Sequence, residues 1–203
     1  MTKLSSKVSQ RLTLYHGLLS DYVEKGVAFV SSPQLAVMLK MDDSQVRKDI
    51  LLCHTQGKSK VGYAVADLKR DIERFLGLKK TKKAVIIGAG NLGFALAKYA
   101  DFKDYGLEIA GLFDNDESKI GQLINGVRVY GMQDLDKVVR ETEAQIAVLT
   151  VPRRVAQSVA DRLIKANIRF IWNFTPTVLS VPDEIDVCHE NLMGNFLPFI
   201  YDK

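Results

Sequence analysis

An apolar run, Ala84-Val85-Ile86-Ile87, leads directly into Gly88-Ala89-Gly90-Asn91-Leu92-Gly93, and no other stretch narrows the fold of this chain so far. The run fits a short buried strand, and Phe94-Ala95-Leu96-Ala97 beyond the glycines fits the start of a helix. Each glycine then has a separate steric task. Gly88 permits a tight turn, Gly90 lets backbone N–H groups approach a pyrophosphate, and Gly93 lets helix and strand pack closely. Phosphates at such a turn meet free N–H groups and the positive end of a helix dipole. Asp114, 21 residues beyond Gly93, falls at the end of the next strand. A carboxylate there accepts hydrogen bonds from the adenosine ribose hydroxyls and repels a 2′-phosphate, which favours NAD(H). The predicted cofactor contacts are therefore Gly88, Ala89, Gly90, Asn91, Leu92, Gly93 and Asp114. A purely structural turn with a helix-capping aspartate is the plainer alternative.

The pattern around this motif alternates strand and helix. Strands are predicted at 84–87, 107–113, 127–130, 145–150 and 168–172, with helices at 91–101, 117–122, 132–141 and 153–166. Such alternation calls for an α/β fold, a doubly wound parallel sheet of the Rossmann type covered by helices on both faces. The basic stretch Gly77-Leu78-Lys79-Lys80-Thr81-Lys82-Lys83 marks a boundary, giving domains 1–80 and 81–203.

Residues before that boundary read as helices. Apolar residues at Val8, Leu12, Tyr15, Leu18, Leu19, Tyr22 and Val23 recur with a helical period until Gly26. Ser32 with Pro33 predicts the start of a second, short helix. Asp42 or Asp43 caps a third, Ser44 to Cys53, in which Val46, Ile50 and Cys53 share one face. Two short helices joined by a tight turn after a longer one make a helix-turn-helix pattern. Gln56-Gly57-Lys58-Ser59-Lys60-Val61-Gly62-Tyr63, basic and punctuated by glycine, fits the β-wing of a winged helix, and Val65 to Leu76 closes the domain. Residues 1–83 hold 16 Lys/Arg against 8 Asp/Glu, whereas residues 84–203 hold 12 against 16. A basic first half suits a polyanion. If the third helix enters a major groove, Ser44, Gln45, Arg47 and Lys48 lie near the end that meets the duplex. Arg47 suits guanine, Gln45 suits adenine, and Lys48 suits a phosphate. Lys58 and Lys60 on the wing are placed to reach a minor groove.

Several classes are disfavoured. No apolar run is long enough for a membrane helix, and the first residues lack the apolar core of a secretory signal. Cys53 and Cys188 stand far apart, so neither a disulfide framework nor a zinc site is expected, and the cytoplasm is the default location. No metal and no catalytic residue are predicted: H-E-x-x-H, G-x-S-x-G and G-x-x-x-x-G-K-[ST] do not occur, and the three histidines read as structural.

Arg11-Leu12 before Leu14-Tyr15, Val30-Ser31-Ser32, Gln45-Val46-Arg47-Lys48-Asp49, Gly57-Lys58 with Gly62-Tyr63, the glycine motif 88–93, Asn125-Gly126-Val127 with Val129-Tyr130, Leu149-Thr150-Val151-Pro152 and Asn173-Phe174-Thr175-Pro176 follow one another in a specific order. Together they resemble the Rex family of redox-sensing transcriptional repressors over nearly the whole chain. The resemblance implies a homodimer on a palindromic double-stranded DNA operator, displaced when NADH binds. It adds Thr150, Val151 and Pro152 to the pocket, and Tyr99 to the sensing of the reduced cofactor. In many members an arginine matching Arg11 exchanges a salt bridge with an aspartate near the C-terminus as the subunits rotate. That position is Asn191 here, and a contact with a neutral amide is weaker than a paired charge. Arg153 replaces a small residue after the Thr-Val-Pro motif. The segment Leu192 to Tyr201 takes the place of a domain-swapped helix, yet holds Gly194 and Pro198, both unfavourable inside one. Two alternatives stay open: a divergent relative that binds DNA but senses another nucleotide such as coenzyme A, or nothing, and a small NAD-dependent oxidoreductase with a helical arm.

Overall fold

The computed structural model describes residues 6–191 together with Gly194, Leu197, Ile200 and Tyr201. The chain divides into two compact units, Met1–Lys80 and Thr81–Lys203.

The first unit opens with α1 (Ser6–Glu24), followed by β1 (Phe29–Val30), α2 (Ser32–Leu39), α3 (Asp43–Leu52), β2 (Tyr63–Ala64) and α4 (Val65–Leu76). The cap of α2 is Ser31, one residue before the expected Ser32. Its hydroxyl accepts the Gln34 N–H while Gln34 Oε1 accepts the Ser31 N–H at 2.8 Å, a capping box that outcompetes a cap at Ser32. Ser32 is buried instead. Asp42 caps α3, accepting from the N–H groups of Ser44 and Gln45. Lys40, in the left-handed region at φ 52°, turns α2 into α3. Leu12, Tyr15 and Leu19 of α1 meet Leu35, Val46, Ile50, Leu68 and Ile72 in one core. Each fully buried side chain of this kind contributes about 1.5–3 kcal/mol. The wing is a tight hairpin, closed by Lys58 and Gly62 through hydrogen bonds in both directions. Beyond it, β2 pairs antiparallel with β1, Val30 opposite Tyr63. Gly62 sits at φ 101°, where a Cβ would lie 2.4 Å from the Val30 carbonyl oxygen.

The second unit runs β3 (Lys82–Ile87), α5 (Asn91–Ala97), β4 (Leu107–Asp114), β5 (Leu123–Ile124), β6 (Val127–Gly131), α6 (Leu135–Thr142), β7 (Ile146–Leu149), α7 (Ala156–Lys165), β8 (Phe170–Asn173) and β9 (Asp186–His189). The seven strands lie in the order β5-β6-β4-β3-β7-β8-β9, all parallel except the β5–β6 pair. The order reverses between β3 and β7, so the ends of these two strands open a crevice of the kind in which doubly wound sheets bind ligands. Alternation within the strands feeds two cores. Val85, Ile87, Phe113, Ala147 and Leu149 face α6 and α7. Ile86, Leu112, Val129 and Val148 lie on the other face with Ala97, Phe94 and Leu96.

The structure corrects several expected boundaries. The helix expected at 91–101 ends at Ala97, and a separate 3-10 turn covers Ala100–Lys103. Residues 117–122 form turns and not a helix, because the Asp116 carboxylate takes the Ser118 N–H at 3.0 Å and Gly121 bends the chain at φ 89°. The chain then returns as β5, joined to β6 by Asn125 and Gly126 at φ 51° and 81°. That is the positive-φ pair of a two-residue hairpin, a signal present in the sequence. The strand β9 is a further addition to the expected set. Leu192, Met193 and Pro198 lie outside the described residues, but Gly194, Leu197, Ile200 and Tyr201 have helical backbone. Asn191 Oδ1 accepts the Gly194 N–H at 2.8 Å, the spacing of an N-cap.

Candidate dinucleotide and nucleic-acid sites

The glycine turn is shaped by what crowds it. Gly88 stands at φ 105°, its N–H donating to the Phe113 carbonyl at 2.8 Å, and a Cβ there would lie 2.8 Å from the Thr150 carbonyl oxygen. A Cβ on Gly93 would come within 2.0 Å of the Gly88 oxygen, so α5 passes the turn at a distance only glycine permits. Gly90 is different: nothing lies within 4 Å of the place its Cβ would take, which leaves room for a ligand. Gly90 also precedes α5 with no side-chain cap, so the first N–H groups, beside exposed Asn91 and Leu92, face outward.

Neighbouring strand ends complete the crevice. Thr150 follows β7, and its hydroxyl donates to the carbonyl oxygens of Ile87 at 3.0 Å and Gly88 at 2.9 Å, pinning the turn to the next strand. Val151 is half-buried and Pro152 exposed beside it, and Arg153 is exposed in the one-turn 3-10 helix Arg153–Val155. Asp114 ends β4 with its carboxylate aimed at the turn, where Oδ2 accepts the Ala89 N–H at 2.9 Å. Gly88 to Gly93, Asp114 and Thr150 to Pro152 are thus brought together at one sheet edge.

Tyr99 is not part of that edge. It stands 53% exposed, packs edge-on against Phe102 at 5.0 Å, and lines a cavity of about 570 Å³ with Thr81, Leu107 and Val127. Leu107 and Val127 begin β4 and β6 and Thr81 directly precedes β3, at the opposite edge of the sheet from the glycines. A helix of seven residues carries the chain from one edge to the other, so proximity in sequence to Gly93 does not become proximity in space.

Sequence reading missed Lys119. Its ammonium lies 3.2 Å from Asp114 Oδ2 and 3.6 Å from Asp116 Oδ2. The signal was an Asp-x-Asp-x-x-Lys run, hidden by the helix expected over it.

In the first unit, the exposed face of α3 carries Ser44, Arg47 and Lys48. Arg47 holds Asp43 at 2.7 Å and donates to Ser32 Oγ at 3.1 Å. An exposed pair of this sort is worth about 0–1 kcal/mol and yields readily to another acceptor. Arg47, Lys58 and Lys60 line one cavity of about 460 Å³ with Ser31, Ser32 and Tyr63, and among the described residues no carboxylate lines it. Three cations around a groove between α2, α3 and the wing suit a phosphodiester backbone.

Gln45 and Arg11 have other employment. Asp49 of α3 is only 1% exposed, and its carboxylate is surrounded by donors. Arg11 Nε and Nη2 reach Oδ2 and Oδ1 at 2.6 and 2.7 Å, the Tyr15 hydroxyl donates to Oδ2 at 2.9 Å, and Gln45 Nε2 donates to Oδ1 at 2.9 Å. A carboxylate has about four acceptor positions, and here each has a donor. Burial acts to raise the Asp49 pKa, but the bonds from Arg11, Tyr15 and Gln45 outweigh it and hold the carboxyl below its ordinary value. Burial and this carboxylate together push the Tyr15 phenol above its own. The Gln45 amide expected to read adenine is turned back into its own helix. The Arg11 guanidinium expected to act with Asn191 has its carboxylate partner within its own unit, and Asn191 is engaged by Gly194.

Among the described residues no helix is long and apolar enough to cross a membrane, and no cluster of three or more His, Cys, Asp or Glu is placed to hold a metal ion.

Comparison with known proteins finds a different family model in each part of the chain. A family model described as "CoA binding domain" matches residues 79–177, and one described as "Putative DNA-binding protein N-terminus" matches residues 3–50. The redox-sensing transcriptional repressor Rex of Treponema denticola is 42% identical over 92% of this chain and 89% of its own length. That of Carboxydothermus hydrogenoformans is 41% identical over 95% and 93%. Among solved structures, RSP, a Rex-family repressor, in complex with NAD⁺ and operator DNA superposes with a TM-score of 0.90 at 34% identity, covering 100% of this chain and 93% of that one. RSP in complex with NADH superposes with a TM-score of 0.87, again at 34% identity, covering 100% and 95%.

Proposed function

Since the chain belongs to the Rex family of redox-sensing transcriptional repressors, we propose that it is a cytoplasmic homodimeric repressor that holds operator DNA through its first unit and releases it when NADH fills the second. One observation carries this reading: a single chain presents both a cationic groove formed by Arg47, Lys58 and Lys60 and a glycine turn closed by Asp114 and Thr150. In the first unit α3 presents Ser44, Arg47 and Lys48 to the duplex while the wing presents Lys58 and Lys60. In the second, Gly90 leaves space for the pyrophosphate and Asp114 faces the adenosine ribose. A ligand displaces DNA only through different affinities for the DNA-bound and free states. NADH must therefore bind the free state more tightly than NAD⁺ does, in relative terms.

The test is operator binding measured during titration with NADH and with NAD⁺. NADH is expected to weaken DNA binding at least about tenfold more than NAD⁺ at equal saturation, and equal DNA affinity in both would sink the redox switch. The match of residues 79–177 to a coenzyme A-binding family favours a second reading, coenzyme A at the same turn. Thermal-shift measurements with NADH, NAD⁺, NADPH and coenzyme A separate the two by which ligand stabilises the protein most.

A further inference from the structure

Of the three cations that line the groove between α2, α3 and the wing, Arg47 alone has a carboxylate partner among the described residues. Lys58 lies over the Phe29 ring, 5.9 Å from its centroid, and among the described residues neither it nor Lys60 meets a carboxylate. The partner of Arg47 is Asp43, one turn earlier on α3 and half-buried, whose Oδ2 takes Nη2 at 2.7 Å. Ser32, buried at the start of α2, takes the Arg47 Nε–H at 3.1 Å. The Ser32 hydroxyl and Arg47 in turn hold the Asp43 carboxyl below its ordinary value against burial, so it stays charged.

Both bonds of Arg47 use one edge of its guanidinium. Of five N–H donors, Nε–H and one on Nη2 are taken. The other three lie on Nη1 and Nη2, the fork that pairs bidentately with guanine O6 and N7. The pairing also changes the charge that a duplex meets. Carboxylate and guanidinium together are close to neutral, and a phosphate backbone is attracted by net charge. Arg47 thus has little to offer a phosphate, while its free donors are undiminished.

Resting on the reading of α3 as the helix that meets operator DNA, we propose that Asp43 is a positioning residue that turns Arg47 from a phosphate contact into the reader of one guanine. Lys58 and Lys60 supply attraction that is blind to sequence, and Arg47 between Asp43 and Ser32 supplies discrimination. The pair can exchange its acceptor, but a guanine at the free fork does not require it to. Asp43 also repels phosphates on its own account. It therefore lowers affinity for any duplex and raises the contrast between operator and other DNA.

The experiment uses the duplex that the wild-type full chain selects from a random pool, and an unrelated duplex of equal length. Both are titrated over a range of KCl with wild type, Asp43→Ala, Asp43→Asn, Arg47→Ala and the double variant Asp43→Ala/Arg47→Ala. Asp43→Ala should bind the unrelated duplex more tightly, with a salt dependence steeper by about one ion, because Arg47 is released to a phosphate. Its ratio of selected to unrelated affinity should fall about tenfold, the scale of one bidentate base contact. Asp43→Asn keeps an acceptor without the charge and should fall between. Arg47→Ala should lower the same ratio with its salt dependence little changed, and the double variant should differ from it by less than about twofold in that ratio. A ratio unmoved in both Asp43 variants, with their circular dichroism spectra unchanged, overturns the role of Asp43. A salt slope that falls by about one in Arg47→Ala makes Arg47 a phosphate contact and overturns it equally. Should Asp43→Ala unfold, Asp43→Asn decides by the same ratio. A wild-type chain that selects no duplex overturns the reading of α3 beneath the proposal.

Discussion

Two carboxylates, Asp49 in the first unit and Asp114 in the second, show how one functional group serves two purposes. Asp49 is almost wholly buried and has a donor for every acceptor position, contributed by Arg11, Tyr15 and Gln45. Asp114 stands at a strand end, partly exposed, with one position open among the described residues and one donor that can leave. A closed set of bonds fixes a helix, whereas an open set leaves affinity for a ligand. Arg11 and Gln45 therefore hold α3 in place, whereas Arg47, the residue proposed to meet the operator, makes bonds weak enough to exchange.

The sharpest test of this contrast removes each charge in turn. Asp49→Asn should cost about 3 kcal/mol, because Arg11 and Gln45 then face an amide in a buried site. Thermal unfolding followed by circular dichroism should show a fall on the order of 15 °C, with NADH affinity unaltered. Asp114→Asn should do the reverse, weakening NADH about tenfold in a fluorescence titration while shifting the unfolding midpoint by only a few degrees. If the two substitutions gave the same pattern, the distinction between closed and open carboxylates would be wrong. Arg47→Ala should lower operator affinity about tenfold or more in a mobility-shift assay, with stability close to that of the wild type because its ion pair is exposed.

Acid supplies a smaller effect with a definite sign. The folded-state pKa of Asp49 lies below its unfolded value, which is about 3.9. Its stabilisation is therefore complete above that value and is lost as pH falls through the folded-state pKa. Wild-type stability should drop below about pH 4, and urea midpoints of Asp49→Asn should follow a shallower curve over the same range. Smallest of all is Gln45→Ala. It removes one of the four bonds to Asp49, costs about 1 kcal/mol, and should leave the order of preference among operator sequences unchanged. A changed preference would return Gln45 to the role of base reader.

Much of this architecture was legible because it rests on local rules. The period of Leu12, Tyr15 and Leu19, the strand before Gly88 and the crowding that requires glycine at position 93 each depend on neighbours in sequence. The placing of Asp114 beside the glycine turn follows once the sheet is known to be parallel, whereas Thr150 to Pro152 entered through the family resemblance. What escaped depends on side chains meeting across the fold. Asp49 lies 38 residues from Arg11, and nothing in either segment states that they pair. Lys119 lay under an expected helix, and only the turn set by Asp116 and Ser118 folds it back. Tyr99, which entered only through the family resemblance, stands away from Gly93 because a helix spends the residues between them crossing the sheet.

The steric fit at Gly62 has a last consequence. Any side chain there would collide with the Val30 carbonyl, so the base of the wing is pressed against β1 as the protein folds. The base of the wing, closed by the Lys58–Gly62 bonds, is therefore held in place before any operator arrives. An operator meeting it has little ordering left to impose, so association should be fast, and discrimination between sequences should appear in how long the complex lasts.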